Sequence, residues 1–312
     1  MKPLSLVSII VPIYNEALNI DSLLTRLKNV LKKIDVDYEL IFINDYSKDN
    51  SLEIIRDHAS NDANIKYIDF SRNFGHQVAV SAGLEYCKGD YIVIIDADLQ
   101  DPPELILDLY QKINQGFDVV YAKRRSRKDR NILKKFAYKS FYKILSFVSQ
   151  IEIPLDTGDF RIMTKRVVFE LVRMNETNKF LRGQIAWLGF KQSYIEYDRD
   201  IRAAGEPGYT YYKLFRLALD GIISFSNMPL RVATIMGFFV FILSLILIIY
   251  TLFSYFFNDS TPQGWASLMI SVLFIGGIQL LSIGIIGEYI GRIQTEVRKR
   301  PLYIVNETNI KE

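Results

Sequence analysis

The 312-residue sequence predicts an α/β domain, a mostly parallel sheet with helices on both faces, joined to a C-terminal pair of membrane-spanning helices. Three observations carry this expectation. Over roughly the first 120 residues, apolar β-branched runs alternate with segments of helical period. Several of those runs end abruptly in acidic residues. Past residue 231 the chain contains two long stretches without a charge.

The elements follow in order. "LVSIIVPIY" reads as a first strand and closes on "NE". "ALNIDSLLTRLKNVLKKI" then spaces Ile20, Leu23, Leu24, Leu27, Val30 and Leu31 at helical intervals. "YELIFIND" is a second strand and "NSLEIIRDHA" a second helix. "IKYIDF", "HQVAVSAGLEYC" and "DYIVIIDAD" continue the alternation. "PPELILDLYQKINQG" is a helix opened by prolines, and "FDVVYAKR" a further strand. This order belongs to a sheet covered on both faces, and such sheets bind ligands beyond the carboxyl ends of their strands. From residue 124 the chain turns basic and aromatic in "RRSRKDRNILKKFAYKSFYKIL", which reads equally as an ordinary amphipathic surface helix. "YYKLFRLALDGIISFSNMPLR", directly before the apolar stretches, suits a helix lying in the membrane interface.

The apolar runs begin at Val232 and Trp265 and extend for about 26 and about 23 residues, beyond the ~20 that a bilayer core requires of a helix. Their link, "NDSTPQG", has no Lys or Arg, whereas Arg231 precedes the pair and Arg292, Arg298, Lys299 and Arg300 follow it. Positive charge on both outer flanks places both termini in the cytoplasm. The expected division is a cytosolic domain over 1–206, juxtamembrane interfacial helices over 207–231, two spans within 232–290 and a cytosolic tail over 291–312. Small residues around the "GG" at 276 allow close helix packing and a homo-oligomer. "MKPLSLVSIIVPIYNEA" is not read as a secretory signal, since Pro12 interrupts its short apolar run and no cleavage site follows.

Composition narrows the function classes. With 38 basic and 35 acidic residues, the net charge of +3 offers no dense basic face for nucleic acid. The single cysteine, Cys87, forms no internal disulfide and reads as a small buried residue.

The chemistry concentrates in "YIVIIDADLQDPPE". Residues two apart in an extended segment point the same way, so Asp96 and Asp98 address one site at the end of an interior strand. Carboxylates crowded together repel one another and raise each other's pKa. A hard cation with oxygen ligands, Mg2+ or Mn2+, relieves that, and two histidines with one cysteine make zinc a poor alternative. Glu16 and Asp45 fall at the ends of two other strands, so three strands deliver carboxylates to one edge. No phosphate-cradling glycine loop of the P-loop or dinucleotide type is present.

"VSIIVPIYNEALNI", "INDYSKDNS", "RNFGHQVAVSAGL", "DADLQDPPE" and "TGDFRIM", continued by "RGQIAWLGF", "FSNMPLR" and "GEYIGR", resemble the family-2 glycosyltransferases of GT-A (Rossmann-like) fold that act on polyprenyl phosphate. With the paired C-terminal runs, the chain is most similar to the bactoprenol glucosyltransferase branch of the group that also holds the dolichyl-phosphate mannose synthases. The resemblance implies that Pro12, Tyr14, Glu16 and Asp45 line a nucleotide pocket, with Asp96 near base and ribose. It implies that Asp98 and Gln100 hold the metal on the donor diphosphate and that Asp159 is the catalytic aspartate. Arg161, Arg124 and Arg127 would hold the acceptor phosphate. Asn44 and Tyr46 stand where many relatives have Asp and Gly, Ala122 replaces a frequent Gly, and Gly208 a frequent Lys.

The implied activity is inverting transfer of one sugar, glucose from UDP-glucose in the first instance, to undecaprenyl phosphate at the cytoplasmic face of a bacterial inner membrane. UDP-N-acetylglucosamine, a UDP-aminopentose and GDP-mannose are alternative donors. A processive polysaccharide synthase is a weaker reading, because "QIAWLGF" lacks the Arg-Trp pair expected of a Q-x-x-R-W motif and two spans make a poor channel. A nucleotide-sugar-binding scaffold is weaker still, having no use for a leaving-group metal beside an arginine cluster.

Overall fold

The computed structural model describes residues 5–125, 157–198, 228–257 and 264–311. The chain divides into two compact units, Met1–Thr210 with Arg300–Glu312, and Tyr211–Lys299.

The first unit is built on an eight-stranded sheet. Its centre is the run of β-branched segments read from sequence: β1 (Leu6–Ile13), β2 (Asp37–Asn44), β3 (Ile65–Phe70) and β4 (Tyr91–Ile94). These are parallel, β1 pairing with both β2 and β4, and β2 with β3. β5 (Val119–Arg124) and β7 (Gln192–Tyr197) extend one side, with β6 (Thr157–Thr164) inserted antiparallel between β4 and β5. The other edge is closed by β8 (Val305–Thr308), antiparallel to β3. The order is β7-β5-β6-β4-β1-β2-β3-β8, a mostly parallel mixed sheet.

Helices cover both faces and divide the core in two. On one face lies α1 (Ile20–Ile34), whose buried residues are the six that the period singled out: Ile20, Leu23, Leu24, Leu27, Val30 and Leu31. It stops where Asp35 turns left-handed (φ 57°) and its N–H bonds Leu31 O. α2 (Ser51–Asn61) buries Ile55 in the same core, as α4 (Leu105–Ile113) does Ile106, Leu109 and Ile113. The prolines before α4 supply carbonyls to its first turn, Leu105 N–H to Pro102 O and Ile106 N–H to Pro103 O. On the opposite face are α3 (His76–Tyr86), α5 (Lys165–Val172) and α6 (Leu181–Trp187). α3 lies so close to the sheet that a Cβ at Gly83 would fall 2.5 Å from Ile10 Cγ2 and 2.9 Å from Ile43 Cδ1.

The second unit contains two long helices, α7 (Met228–Phe257) and α8 (Trp265–Arg298), and the charge-free runs fall within them. The segment Phe274–Arg298 is long and apolar enough to cross a membrane by length and composition. Phe238, Phe239, Ile246 and Leu280 present apolar side chains outward, each more than half exposed. Of the expected interfacial helices, residues 207–227 lie outside the described residues, as does Arg127, while 228–231 form the start of α7.

Candidate active site

Strand direction brings the site together. β1, β2 and β4 end on one edge and continue into Tyr14 and Glu16, Asp45, and Asp96 and Asp98. β5 and β7 point the same way and deliver Arg124 and Tyr197. β6 runs oppositely, with Arg161 in register with Ile94, so its beginning rather than its end reaches that edge. An antiparallel insertion thereby carries Asp159 to the carboxylates of β4.

Asp159 is the most heavily engaged group there. Arg182, from the first turn of α6, donates to both of its oxygens, Nε to Oδ1 at 3.1 Å and Nη2 to Oδ2 at 3.2 Å. Arg161 Nη2 reaches Oδ1 at 2.8 Å. His76, the first residue of α3, places Nδ1 4.0 Å from Asp159 Oδ2 and Nε2 2.9 Å from Asp96 Oδ1, so one imidazole joins the two carboxylates. Desolvation alone would raise the Asp159 carboxyl, but Arg182, then Arg161 and His76, hold it well below the usual carboxylate range. Desolvation also opposes charge on His76, yet the hydrogen bond and field of Asp96, reinforced by Asp159, push it up to about 9. The imidazole is therefore a cation at neutral pH.

Arg161 is 1 % exposed. Beyond the Asp159 carboxylate it donates to two carbonyls, Nε to Asp159 O at 2.9 Å and Nη2 to Gly158 O at 3.3 Å, while Nη1 is buried without a hydrogen-bond partner among the described residues. Its guanidinium lies 5.4 Å from the Tyr121 ring centroid. Burial pulls its pKa down from the ordinary arginine value, with Asp159 resisting. This geometry sets Arg161 behind Asp159. Arg182 and Arg124 are more accessible than Arg161, with side chains 29 % and 20 % exposed. Arg124 reaches Asp101 Oδ2 at 3.5 Å and Tyr197 Oη at 3.3 Å, and Tyr197 donates in turn to Asp101 Oδ1. Gly158 makes room for this cluster, since a Cβ there would stand 3.0 Å from Arg124 Nη2.

The expected nucleotide-pocket residues flank the ends of β1 and β2. Pro12 is buried inside β1 opposite Ile43, while Tyr14 is 46 % exposed. Glu16 accepts from Asn19 Nδ2 at 2.6 Å. Asp45 is 4 % exposed and accepts the N–H groups of Phe74 and Gly75 at 2.7 and 2.9 Å, which ties the end of β2 to the loop entering α3. Burial raises its carboxyl above the ordinary value against those two bonds.

Asp98 and Gln100 are half-buried beyond β4, on either side of Leu99, whose φ is 56°. Asp98 Oδ1 accepts the Gln100 N–H at 3.1 Å. No group of three or more His, Cys, Asp or Glu suited to a metal occurs among the described residues. A carboxylate with an amide oxygen is an all-oxygen pair, which fits Mg2+ or Mn2+ completed by phosphate and water.

Sequence reading gave no role to His76 or Arg182. Both lie inside quoted motif blocks, "RNFGHQVAVSAGL" and "RGQIAWLGF", and a chemically capable side chain within such a block was the available signal.

Residues 8–171 match glycosyl transferase family 2, and residues 228–293 match the GtrB C-terminal hairpin. The chain is similar to YkcC, an uncharacterised glycosyltransferase of Bacillus subtilis, with 49 % identity over 96 % of this chain and 93 % of that protein. It is similar to the bactoprenol glucosyl transferase of Shigella phage SfII, 39 % identical over 97 % of this chain and 98 % of the phage protein. A prophage bactoprenol glucosyl transferase homolog of Escherichia coli is also 39 % identical, over 96 % and 98 % of the two chains. With the acidic edge, Arg124 and Arg161 inside the matched region, the chain belongs to glycosyl transferase family 2 and is a glycosyltransferase carrying a GtrB-type C-terminal hairpin.

Proposed function

We propose that this glycosyltransferase moves a single glucose from UDP-glucose to polyprenyl phosphate at the cytoplasmic face of the membrane, with inversion at the anomeric carbon. The observation that carries the reading is the crowding of Asp159 by Arg182, Arg161 and His76 beside Asp96, at the edge where Asp98 stands. Near-full-length similarity to proteins named bactoprenol glucosyl transferase supports the choice of acceptor and sugar.

A phosphate monoester has a second pKa near ~6 and is already largely an anion at neutral pH. Its oxygen attacks the anomeric carbon as the bond to the nucleoside diphosphate breaks on the opposite face, so the acceptor needs no strong base. The demand falls on charge and position. Arg182 and Arg124 meet the acceptor phosphate with planar, permanently charged donors. Arg161, buried beneath, fixes the Asp159 carboxylate, and His76 keeps Asp96 and Asp159 at one spacing. Tyr14, Glu16 and the turn at Asp45 receive the nucleotide. Asp98 and Gln100 would hold Mg2+ or Mn2+, which when bound neutralises charge on the departing diphosphate.

The hairpin keeps this site near its lipid substrate, with both helices spanning and both termini cytoplasmic. A cysteine at Ser260 then reacts with an impermeant thiol reagent in intact cells, and one near the N-terminus does not; the reverse labelling rejects that topology. The activity is tested with the purified protein, polyprenyl phosphate and a panel of nucleotide sugars. Lipid-linked glucose formed from UDP-glucose is the expected product. Transfer from GDP-mannose or UDP-N-acetylglucosamine alone overturns the donor, and sugar transfer without lipid phosphate overturns the acceptor.

A further inference from the structure

The strand that follows the hairpin is wired to the donor side of the site. Asn306, in β8, donates from Nδ2 to Asp69 Oδ2 at 2.9 Å. Asp69 is 5 % exposed, and its other oxygen accepts from Nδ2 of Asn44, itself 1 % exposed, at 2.7 Å. Asn44 Oδ1 accepts the Ser47 N–H at 3.2 Å, and Ser47 Oγ accepts the Asn15 N–H at 3.0 Å. Asn15 Oδ1 closes the brace by accepting the Lys48 N–H at 2.7 Å.

The two turns braced in this way are the ones that hold the proposed nucleotide-binding residues, and both contain a non-glycine residue with a left-handed backbone: Asn15 at φ 57° and Tyr46 at φ 63°. Such a conformation is disfavoured for a tyrosine and persists only where its surroundings over-determine it. Tyr46 is 49 % exposed, so core packing does not supply that constraint; the hydrogen bonds on either side of it do. The chemistry of the relay is matched as well, because the two oxygens of Asp69 each meet an amide donor. An aspartate at 44 or 306 would set a second carboxylate against the first.

We propose that Asn306 is a positioning residue for the donor nucleotide, acting through Asp69 and Asn44 on the turns at Asn15 and Tyr46. It touches no substrate. The inference rests on the donor pocket proposed above, and the test separates the two.

Asn309 provides the control. It fastens the same strand, Oδ1 accepting the Tyr67 N–H at 2.8 Å and Nδ2 donating to Ile65 O at 3.1 Å, through groups outside the relay. Full-length Asn306→Ala, Asn309→Ala and Asp45→Asn proteins are compared for UDP affinity by calorimetry, for KM of UDP-glucose and of polyprenyl phosphate, and for melting temperature. Loss of the relay bond in Asn306→Ala raises the UDP Kd and the UDP-glucose KM about 3–10-fold, the scale of one net hydrogen bond, with acceptor KM unchanged. Asn309→Ala lowers the melting temperature at least as much and leaves donor affinity within about twofold. The relay is overturned if Asn306→Ala shifts donor affinity no more than Asn309→Ala while Asp45→Asn weakens UDP binding. If Asp45→Asn leaves UDP binding unchanged, the pocket itself is misassigned and the inference falls with it.

Discussion

Arg182 grips Asp159 by both carboxylate oxygens, at 3.1 and 3.2 Å. A lysine keeps the charge but loses the fork. If Asp159 is the catalytic carboxylate, Arg182→Lys is expected to lower kcat about 10-fold while UDP affinity holds, since misaiming it costs transition-state stabilisation. Steady-state kinetics beside UDP calorimetry decide it, and an unchanged kcat would remove Arg182 from the machinery.

Arg161 behaves differently because it is buried. Truncation removes the donor to Gly158 O and Asp159 O, and one of the cations on the Asp159 carboxylate, from a buried position, so Arg161→Ala should destabilise the first unit by about 3–5 kcal/mol. Denaturant unfolding gives the figure. A variant of normal stability whose only fault is a raised KM for polyprenyl phosphate would restore Arg161 to the acceptor surface.

The His76 imidazole has its folded-state pKa raised from 6.5 to about 9. A raised pKa contributes stability that is complete below the unfolded value and disappears as pH climbs through the folded one. The melting-temperature advantage of the wild type over His76→Gln should accordingly be largest at pH 6 to 7 and shrink through about pH 9. A gap that stays constant across that window would contradict the charged bridge between Asp96 and Asp159.

Asp98 stands half-buried beyond the end of β4, outside the packed core. Asp98→Asn is expected to reduce transfer about 100-fold at limiting Mg2+ or Mn2+ with little change in melting temperature. Metal titration of rate is the measurement, and wild-type turnover at low metal would dissociate this carboxylate from the diphosphate.

Much of the central architecture was legible because its residues obey one rule at a time. The β-branched runs of β1, β2 and β3 are buried along almost their whole length, and α1 buries the six residues its period marks. β6 escaped notice because "TGDFRIMT" carries glycine, aspartate and arginine where a core strand would carry valine. Those are the residues it exists to deliver. β8, "VNET", is a short polar edge strand whose pairing is set by a partner far away in the chain. Asp96, Asp98 and Asp159 could be picked out by motif. The meeting of Asp159 with His76 and Arg182 joins three separate elements and has no local signature. Nor does any local pattern tell a surface arginine from Arg161, folded beneath its own strand.

The late arrival of β8 also orders events during synthesis. Tyr67 waits for Asn309, 242 residues downstream, to complete its pairing. Until then β3 leaves the ribosome with a bare row of N–H and C=O groups, the kind of edge that recruits stray strands and chaperones alike. The sheet is closed only by a segment translated after the apolar hairpin, so a nascent chain stalled or cut before that point keeps a sticky flank.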